Sequence, residues 1–266
     1  MSDQAELHAT CIAAAEAGAR VLRELFDQPR EVHHKGRIDL VTDADRAAEA
    51  RILAVLDERA PGVRVLAEES GEHGSLGEAR FIVDPLDGTT NYAHGLPLFA
   101  CTVAAEVSGT VVAGCTIDPS RGELFHARRG GGAFVRRSGG GELDRPLRVS
   151  PAREFSQALV CTGFPADRRE RLQWLLQTFA RFTELAQGTR RLGSAALDLA
   201  FVAAGRLDGF WEQGLKPWDV AAGQLLVEEA GGLVTRFDGS PHDLAGGEIL
   251  AGNPALHAAM AQILRG

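Results

Sequence analysis

The sequence predicts a mixed fold: helices plus an antiparallel sheet in its first half (α+β), and strands alternating with helices in its second half (α/β). Three observations carry this. Residues 3–27 and about 43–60 repeat apolar side chains every three or four positions, the period of a helix with one buried face. Residues 98 to 135 break into short, branched, apolar segments separated by Gly, Pro and Ser, the pattern of a meander. Beyond residue 158, strand-like and helix-like stretches alternate.

In the first helix the inward positions are Leu7, Cys11, Ala15, Gly18, Leu22 and Leu25. Pro29 to Ile38 is polar and reads as a mobile loop; its adjacent His33 and His34 point different ways and make a poor metal pair. The second helix buries Ala48, Ile52, Val55 and Leu56, with Thr42 or Asp43 as its N-cap and Asp45 in its first turn. Val63 to Ala67 and Phe81-Ile82-Val83 read as strands. The meander comprises 99–107, 111–117, 123–126 and 133–135, with Ser108-Gly109 as a hairpin turn. Residues 138–150 are rich in Gly and Pro and mark a junction, so that 1–145 and 146–266 form two halves. In the second half, strands are expected at 158–161, 207–211, 232–237 and 248–251, and helices at 167–187, 194–204, 217–230 and from Asn253-Pro254 onward. The glycine runs 130–132 and 139–141 lack the GxGxxG order of a dinucleotide site.

Composition narrows the function. The chain has 266 residues, 45% hydrophobic and 24% charged, enough for a sizeable core. Its formal charge of −8 argues against nucleic acid, which needs clustered Lys and Arg. No apolar run approaches the roughly 20 residues that span a bilayer. The first residues show no basic-then-apolar leader, and the expected location is cytoplasmic. Cys11, Cys101, Cys115 and Cys161 are widely spaced in apolar contexts and read as buried free thiols. The pairs Arg128-Arg129 and Arg136-Arg137 read as solvated hairpin ends.

Chemistry concentrates in three acidic segments. Asp84-Pro85-Leu86-Asp87-Gly88-Thr89-Thr90-Asn91-Tyr92 follows the apolar run 81–83, placing two carboxylates where a strand ends and a helix begins. Carboxylates at a strand end suit hard cations, and free N–H groups at a helix start suit phosphate. The same residues also make an ordinary turn. Glu68-Glu69-Ser70 follows a strand and on its own reads as a solvated loop. Trp218-Asp219-Val220-Ala221-Ala222-Gly223 opens a helix behind Pro217, where Asp219 alone is a cap.

Taken jointly, these segments resemble the inositol monophosphatase family of Mg²⁺-dependent, lithium-sensitive phosphatases. The likeness extends to Asp39-Leu40-Val41-Thr42 and Gly193-Ser194-Ala195-Ala196 and covers nearly the whole chain. It implies the layered αβαβα sandwich of the inositol monophosphatase / fructose-1,6-bisphosphatase type, and two or three Mg²⁺ ions, with Mn²⁺ as a substitute. Glu68, Asp84 and the carbonyl of Leu86 correspond to ligands of a first ion. Asp84, Asp87 and Asp219 correspond to ligands of a second. The donors are all oxygen, a set that favours Mg²⁺ or Mn²⁺ over zinc. The implied catalytic residues are Glu68, Thr89 and Asp87, with Thr89 and Glu68 orienting and deprotonating the attacking water. Gly88 and Thr89 correspond to phosphate-binding N–H donors, and Ala195, Glu212 and Asp219 to substrate contacts. Thr162-Gly163-Phe164-Pro165 is similar to a turn of bacterial members. Lys35, Asp39 and Asp45 correspond to a loop and outer ring around the metals.

The resemblance implies hydrolysis of inositol 1-phosphate or a similar polyol or sugar monophosphate, and a homodimer. Relatives act instead on histidinol phosphate, fructose 1,6-bisphosphate, NADP or 3′-phosphoadenosine phosphates. The run Phe210 to Asp219 is more similar to the inositol phosphatase branch than to the adenosine phosphatase branch. A third alternative is a regulatory homologue that binds the transcription machinery.

Overall fold

The structure is a computed structural model that describes residues 4–28, 32–34, 40–75, 77–137, 143–165 and 168–265. It begins with α1 (Gln4–Leu25), β1 (Val32–His34), β2 (Leu40–Thr42) and α2 (Asp43–Arg59). Strands β3 (Arg64–Ala67), β4 (Gly71–His73) and β5 (Ala79–Asp87) precede a short α3 (Thr89–Ala93). The meander is β6 (Ala100–Val107), β7 (Thr110–Asp118), β8 (Glu123–Arg128) and β9 (Gly132–Arg137), closed by β10 (Arg145–Pro146). Then come β11 (Leu159–Thr162), α4 (Leu172–Leu185), β12 (Gly188–Arg190) and α5 (Ala195–Ala203). The chain finishes with β13 (Gly209–Gln213), α6 (Pro217–Glu229), β14 (Leu233–Thr235), β15 (Glu248–Gly252) and α7 (Pro254–Arg265).

Two mixed sheets organise these elements. The first runs β10-β9-β8-β7-β6-β5-β3-β4, antiparallel except where β3 and β5 lie parallel. The second runs β12-β11-β13-β15-β14, with β11 parallel to both its neighbours. Side chains alternate across a strand, and β5 shows the consequence. Phe81 and Val83 face α1 and α2, meeting Cys11, Leu22, Ala48 and Ile52, while Ile82 faces the opposite side with Ala104 and Phe125. That opposite side packs on α5 and α6, whose Leu197, Leu199 and Leu225 also meet Phe210, Ile249 and Ala251 of the second sheet. The far face of the second sheet, Val160, Trp211 and Leu250, is covered by Phe182 of α4 and by Leu256 and Met260 of α7. Trp211 and Phe182 stack with centroids 3.7 Å apart. Helix, sheet, helix, sheet, helix is therefore the order of layers, and each large side chain buried this way contributes roughly 1.5–3 kcal/mol.

The hairpin turn at Ser108-Gly109 has both φ angles positive, 50° and 79°, as a tight two-residue turn requires. The four cysteines are free and buried. Two expectations need correction. The polar segment Pro29 to Ile38, expected as loop, contributes β1, which pairs antiparallel with β2 just beyond it; with few apolar residues it carries little strand pattern. Strand β4 follows Glu68-Glu69-Ser70 directly, making that segment a turn between paired strands. The basic pairs stay at the surface at strand ends, where Arg129 donates to Glu228, Arg136 to Asp144 and Arg137 to Glu123.

Candidate active site

Strand β5 does not stop before the acidic segment. It continues to Asp87, and its pairing with β6 shifts register between Asp84, opposite Thr102, and Asp87, opposite Ala100. One extra residue is accommodated there, a β-bulge, and Pro85, which has no N–H to lose, sits inside it. The bulge brings Asp84 and Asp87 to one site. Asp84 Oδ1 accepts from the N–H of Leu86 at 2.9 Å, which fixes the carboxyl.

The third acid comes from the other half of the chain. Asp219 occupies the first turn of α6, behind Pro217, and its Oδ2 accepts from the N–H of Lys216 at 2.6 Å. One carboxylate oxygen from each of Asp84, Asp87 and Asp219 falls within 4.8 Å of the others. Glu68 joins through the parallel β3–β5 pair. Its N–H donates to Val83 O at 3.1 Å, and its carboxyl hydrogen-bonds that of Asp84.

These acids repel one another. Burial, then the charges of Glu68, Asp87 and Asp219, push Asp84 well above the usual carboxylate range. Burial, then Asp87, raises Asp219. Burial raises Asp87 to about 6, although Ser194 and the N–H groups of Ala196 and Ala195 oppose the rise. A cluster of oxygen donors under this strain fits a divalent cation, whose charge would reverse the penalty.

Thr89 is held from two sides. Its hydroxyl lies 3.1 Å from Asp45 Oδ1 and 3.0 Å from the carbonyl of Leu86, and its proton is shared between them. The carbonyl keeps a second lone pair free. Asp45 is itself pinned, its Oδ2 accepting from the N–H (2.7 Å) and hydroxyl (2.6 Å) of Thr42, the capping box of α2. Burial raises the Asp45 carboxyl, and those hydrogen bonds oppose it. Gly88 has φ 93°, and a side chain there would press on the carbonyl of Leu98 at 2.9 Å, so the residue linking Asp87 to Thr89 has to be glycine.

Beside the acids is a cavity of about 210 Å³ that contains Asp87, Asp219, Ala195 and Glu212 in its lining. Glu212 sits on β13, and its carboxyl fills the space where Gly163 would carry a side chain. Burial, then the charges of Asp198, Asp219 and Asp87, raises its pKa. Glu68, Asp84, Asp87, Asp219, Thr89 and Asp45 are thus brought to one centre, with Glu212 and Ala195 in the adjoining cavity. Lys35 and Asp39 lie outside the described residues.

Some contributors are not evident from sequence. The Ser194 hydroxyl and the Ala196 N–H (2.7 Å) both donate to Asp87 Oδ2, anchoring α5 to the bulge. The Asn91 amide donates to Leu98 O and to Leu192 O, each at 2.8 Å. Ser194 and Gly163 lie inside the recognised motifs, but only contacts across the fold give them these roles.

The chain matches the inositol monophosphatase family over residues 3–266. It is a member of that family. Among curated relatives, an inositol-1-monophosphatase of Synechocystis sp. is 43% identical over 95% of this chain and 86% of its own length. A protein of Salmonella typhimurium named Nus factor SuhB is 42% identical over 96% of this chain and 94% of its own. The crystal structure of the extragenic suppressor protein suhB from Bartonella henselae superposes with a TM-score of 0.91 at 41% identity, covering 97% of each chain. As an inositol monophosphatase family member the protein has a metal-dependent ancestry, and its acidic cluster is in keeping with that. Among the described residues no helix is long and apolar enough to cross a membrane.

Proposed function

We propose that this protein is a Mg²⁺-dependent phosphomonoesterase that hydrolyses inositol 1-phosphate or a related polyol or sugar monophosphate by attack of water. The convergence of Asp84, Asp87 and Asp219, from a strand bulge and a helix start in different halves of the chain, carries this reading. Glu68, Asp84, Asp87, Asp219 and the carbonyl of Leu86 would hold the ions. When bound there, divalent cations neutralise the acids and the phosphate, lower the pKa of the attacking water and stabilise the leaving oxygen.

The remaining work falls to the chain. Thr89, fixed by Asp45 and Leu86, orients the water, and Glu68 takes its proton. The bulge and Pro85 hold Asp84 rigidly, as Mg²⁺ geometry demands. Backbone N–H groups of Gly88 and Thr89 meet the phosphate, and Ala195, Glu212 and Asp219 meet the leaving group. Mn²⁺ would substitute for Mg²⁺, lithium would compete for a weakly held ion, and the active form would be a cytoplasmic homodimer, which sedimentation can check. Phosphate release from inositol 1-phosphate, glycerol 2-phosphate, histidinol phosphate, fructose 1,6-bisphosphate, NADP and 3′-phosphoadenosine 5′-phosphate, with and without Mg²⁺, tests the reading. A Mg²⁺-dependent preference for inositol 1-phosphate supports it. Preference for another ester keeps the mechanism and moves the substrate; activity that survives both chelation and Asp84→Asn sinks it.

The relative named Nus factor favours a second reading, in which this protein also binds transcription components. Absence of RNA polymerase and antitermination factors from material co-purified with the full chain would remove it.

A further inference from the structure

The cavity beside the acidic centre holds one side chain that the reaction as outlined does not use. Its described lining includes three acids, Asp87, Asp219 and Glu212, and a single cation, Arg191. Arg191 lies in the loop between β12 and α5. The loop is built rather than loose: Asn91, in the helix that follows the bulge, donates its amide to the carbonyl of Leu192 at 2.8 Å. The Arg191 guanidinium then lies over Gly193, with Nη1 3.0 Å from where a Cβ would stand and the Asn91 amide nitrogen equally near. Arg191 is exposed and forms no hydrogen bond or ion pair with another described residue. Yet its charge is felt by Glu212 and by Asp198.

A guanidinium without a partner among the described residues and the carboxyl of Glu212 therefore line one small cavity beside the centre. The phosphoryl group does not need Arg191, because the acids and their ions take that group. What remains for it is the leaving group. We infer that Arg191 is a specificity-determining residue that, together with Glu212, selects leaving groups carrying hydroxyls on the carbons next to the ester. Glu212 accepts from one hydroxyl and Arg191 donates to the oxygen of its neighbour, so that a vicinal diol satisfies both. A leaving group without hydroxyls leaves buried Glu212 without a partner and Arg191 without this contact, and so is disfavoured, which is the discrimination a hydrogen-bonding site provides. The inference rests on the phosphatase reading above and adds the recognition chemistry to it.

A matched pair of esters tests it: inositol 1-phosphate and cyclohexyl phosphate, the same ring with and without hydroxyls, assayed with Mg²⁺ on wild type, Arg191→Ala and Arg191→Lys. The readout is the ratio of kcat/KM for the two esters. Wild type should favour the hydroxylated ester, and Arg191→Ala should lower that ratio about 10- to 100-fold, mainly through KM. Arg191→Lys, which keeps the charge but not the fork of donors, should restore part of it. Equal losses on both esters would make Arg191 structural and overturn the inference, as would an unchanged ratio. A wild-type ratio near one overturns it while leaving the phosphatase reading intact. Hydrolysis of neither ester defeats the phosphatase reading and this inference with it.

Discussion

Two buried acids in the first sheet show opposite solutions to the same problem. Glu123, on β8, has a side chain only 2% exposed, and Arg206 and Arg137 close on it. Burial alone would raise its pKa, but hydrogen bonds from those two guanidinium groups hold it below the usual range. Arg206 is further seated over the rings of Phe125 and Phe201. Asp84, on β5, is 1% exposed; besides the N–H of Leu86, the charged groups that act on it among the described residues are Glu68, Asp87 and Asp219, all acids. The fold is able to neutralise a buried carboxylate with arginine and does so at Glu123. At Asp84 no described arginine or lysine plays that part, and a bound cation would balance the charge instead. A buried carboxylate without a partner is costly, so the arrangement is intelligible as a site kept ready for cations.

The comparison breaks most sharply at Asp84. Asp84→Asn should lower Mg²⁺-dependent kcat/KM by about 10³-fold or more, because the acid proposed to serve both ion positions is lost. The same substitution should leave the Mg²⁺-free protein as stable as wild type or more so, since one repulsive charge is gone. Thermal unfolding with and without Mg²⁺ reads this out. A metal-free variant clearly less stable than wild type would mean that Asp84 serves the fold.

The pH dependence sharpens the contrast. Asp87 has a folded pKa near 6 against an ordinary value of 3.8. A raised carboxyl contributes stability that is complete below 3.8 and is lost as pH rises through 6. His8 and His126, whose pKa values burial lowers, the first to about 4, titrate in the opposite direction over part of this range. The useful quantity is therefore the difference in Tm between Asp87→Asn and wild type, without Mg²⁺. It should grow in favour of the variant from pH 4 to pH 7, by on the order of 5 °C, and saturating Mg²⁺ should abolish or reverse it. A difference that stays flat with pH refutes the assignment. Glu123→Gln should show the reverse sign, with a loss of about 2 kcal/mol at neutral pH as two partly solvated arginines lose their acid. That loss should shrink as acid protonates Glu123 in the wild type.

How far these sites could be read from sequence follows from how local they are. Asp84, Asp87 and Asp219 announce themselves by type and by position at element boundaries, and the apolar periods of α1, α2 and the meander place the sheet that carries them. The bulge was hidden because Pro85 normally ends a strand. The ribbon β1–β2 was hidden because a polar segment lacks the alternation that marks a buried face. Ser194 and Asn91 act through hydrogen bonds to Asp87 and Leu192, and no local pattern reports such partners. The acids that pair with the basic residues of the hairpins are equally silent in the sequence: Glu123 lies on the neighbouring strand, Asp144 just before β10 and Glu228 on α6.

Asp198 tests the contrast at its finest. It lies one turn into α5, 1% exposed, and neither carboxyl oxygen has a hydrogen-bond partner of ordinary geometry among the described residues. Burial lifts its pKa well above the usual range; the nearby thiol of Cys161 and the charge of Arg191 oppose the rise, while Asp87 adds to it. It has neither the arginines of Glu123 nor a place in the proposed ion-holding triad, so its raised carboxyl should stay protonated above the pH at which an ordinary carboxylate charges. Asp198→Asn, close to it in shape and neutral at every pH, should then match wild type near pH 4. As pH rises through the ordinary carboxylate value toward the raised one, the variant should gain an advantage of about 1 kcal/mol, because wild type alone bears the cost of a buried, unpaired acid. Asp198 is not among the proposed ion ligands, so saturating Mg²⁺ should leave that advantage in place, whereas it should remove the one at Asp87. Denaturant unfolding at pH 4, 6 and 8, with and without Mg²⁺, separates the two. If Mg²⁺ cancels the Asp198→Asn advantage as it does that of Asp87→Asn, Asp198 belongs to the cation centre and the boundary drawn here between the two kinds of acid is wrong.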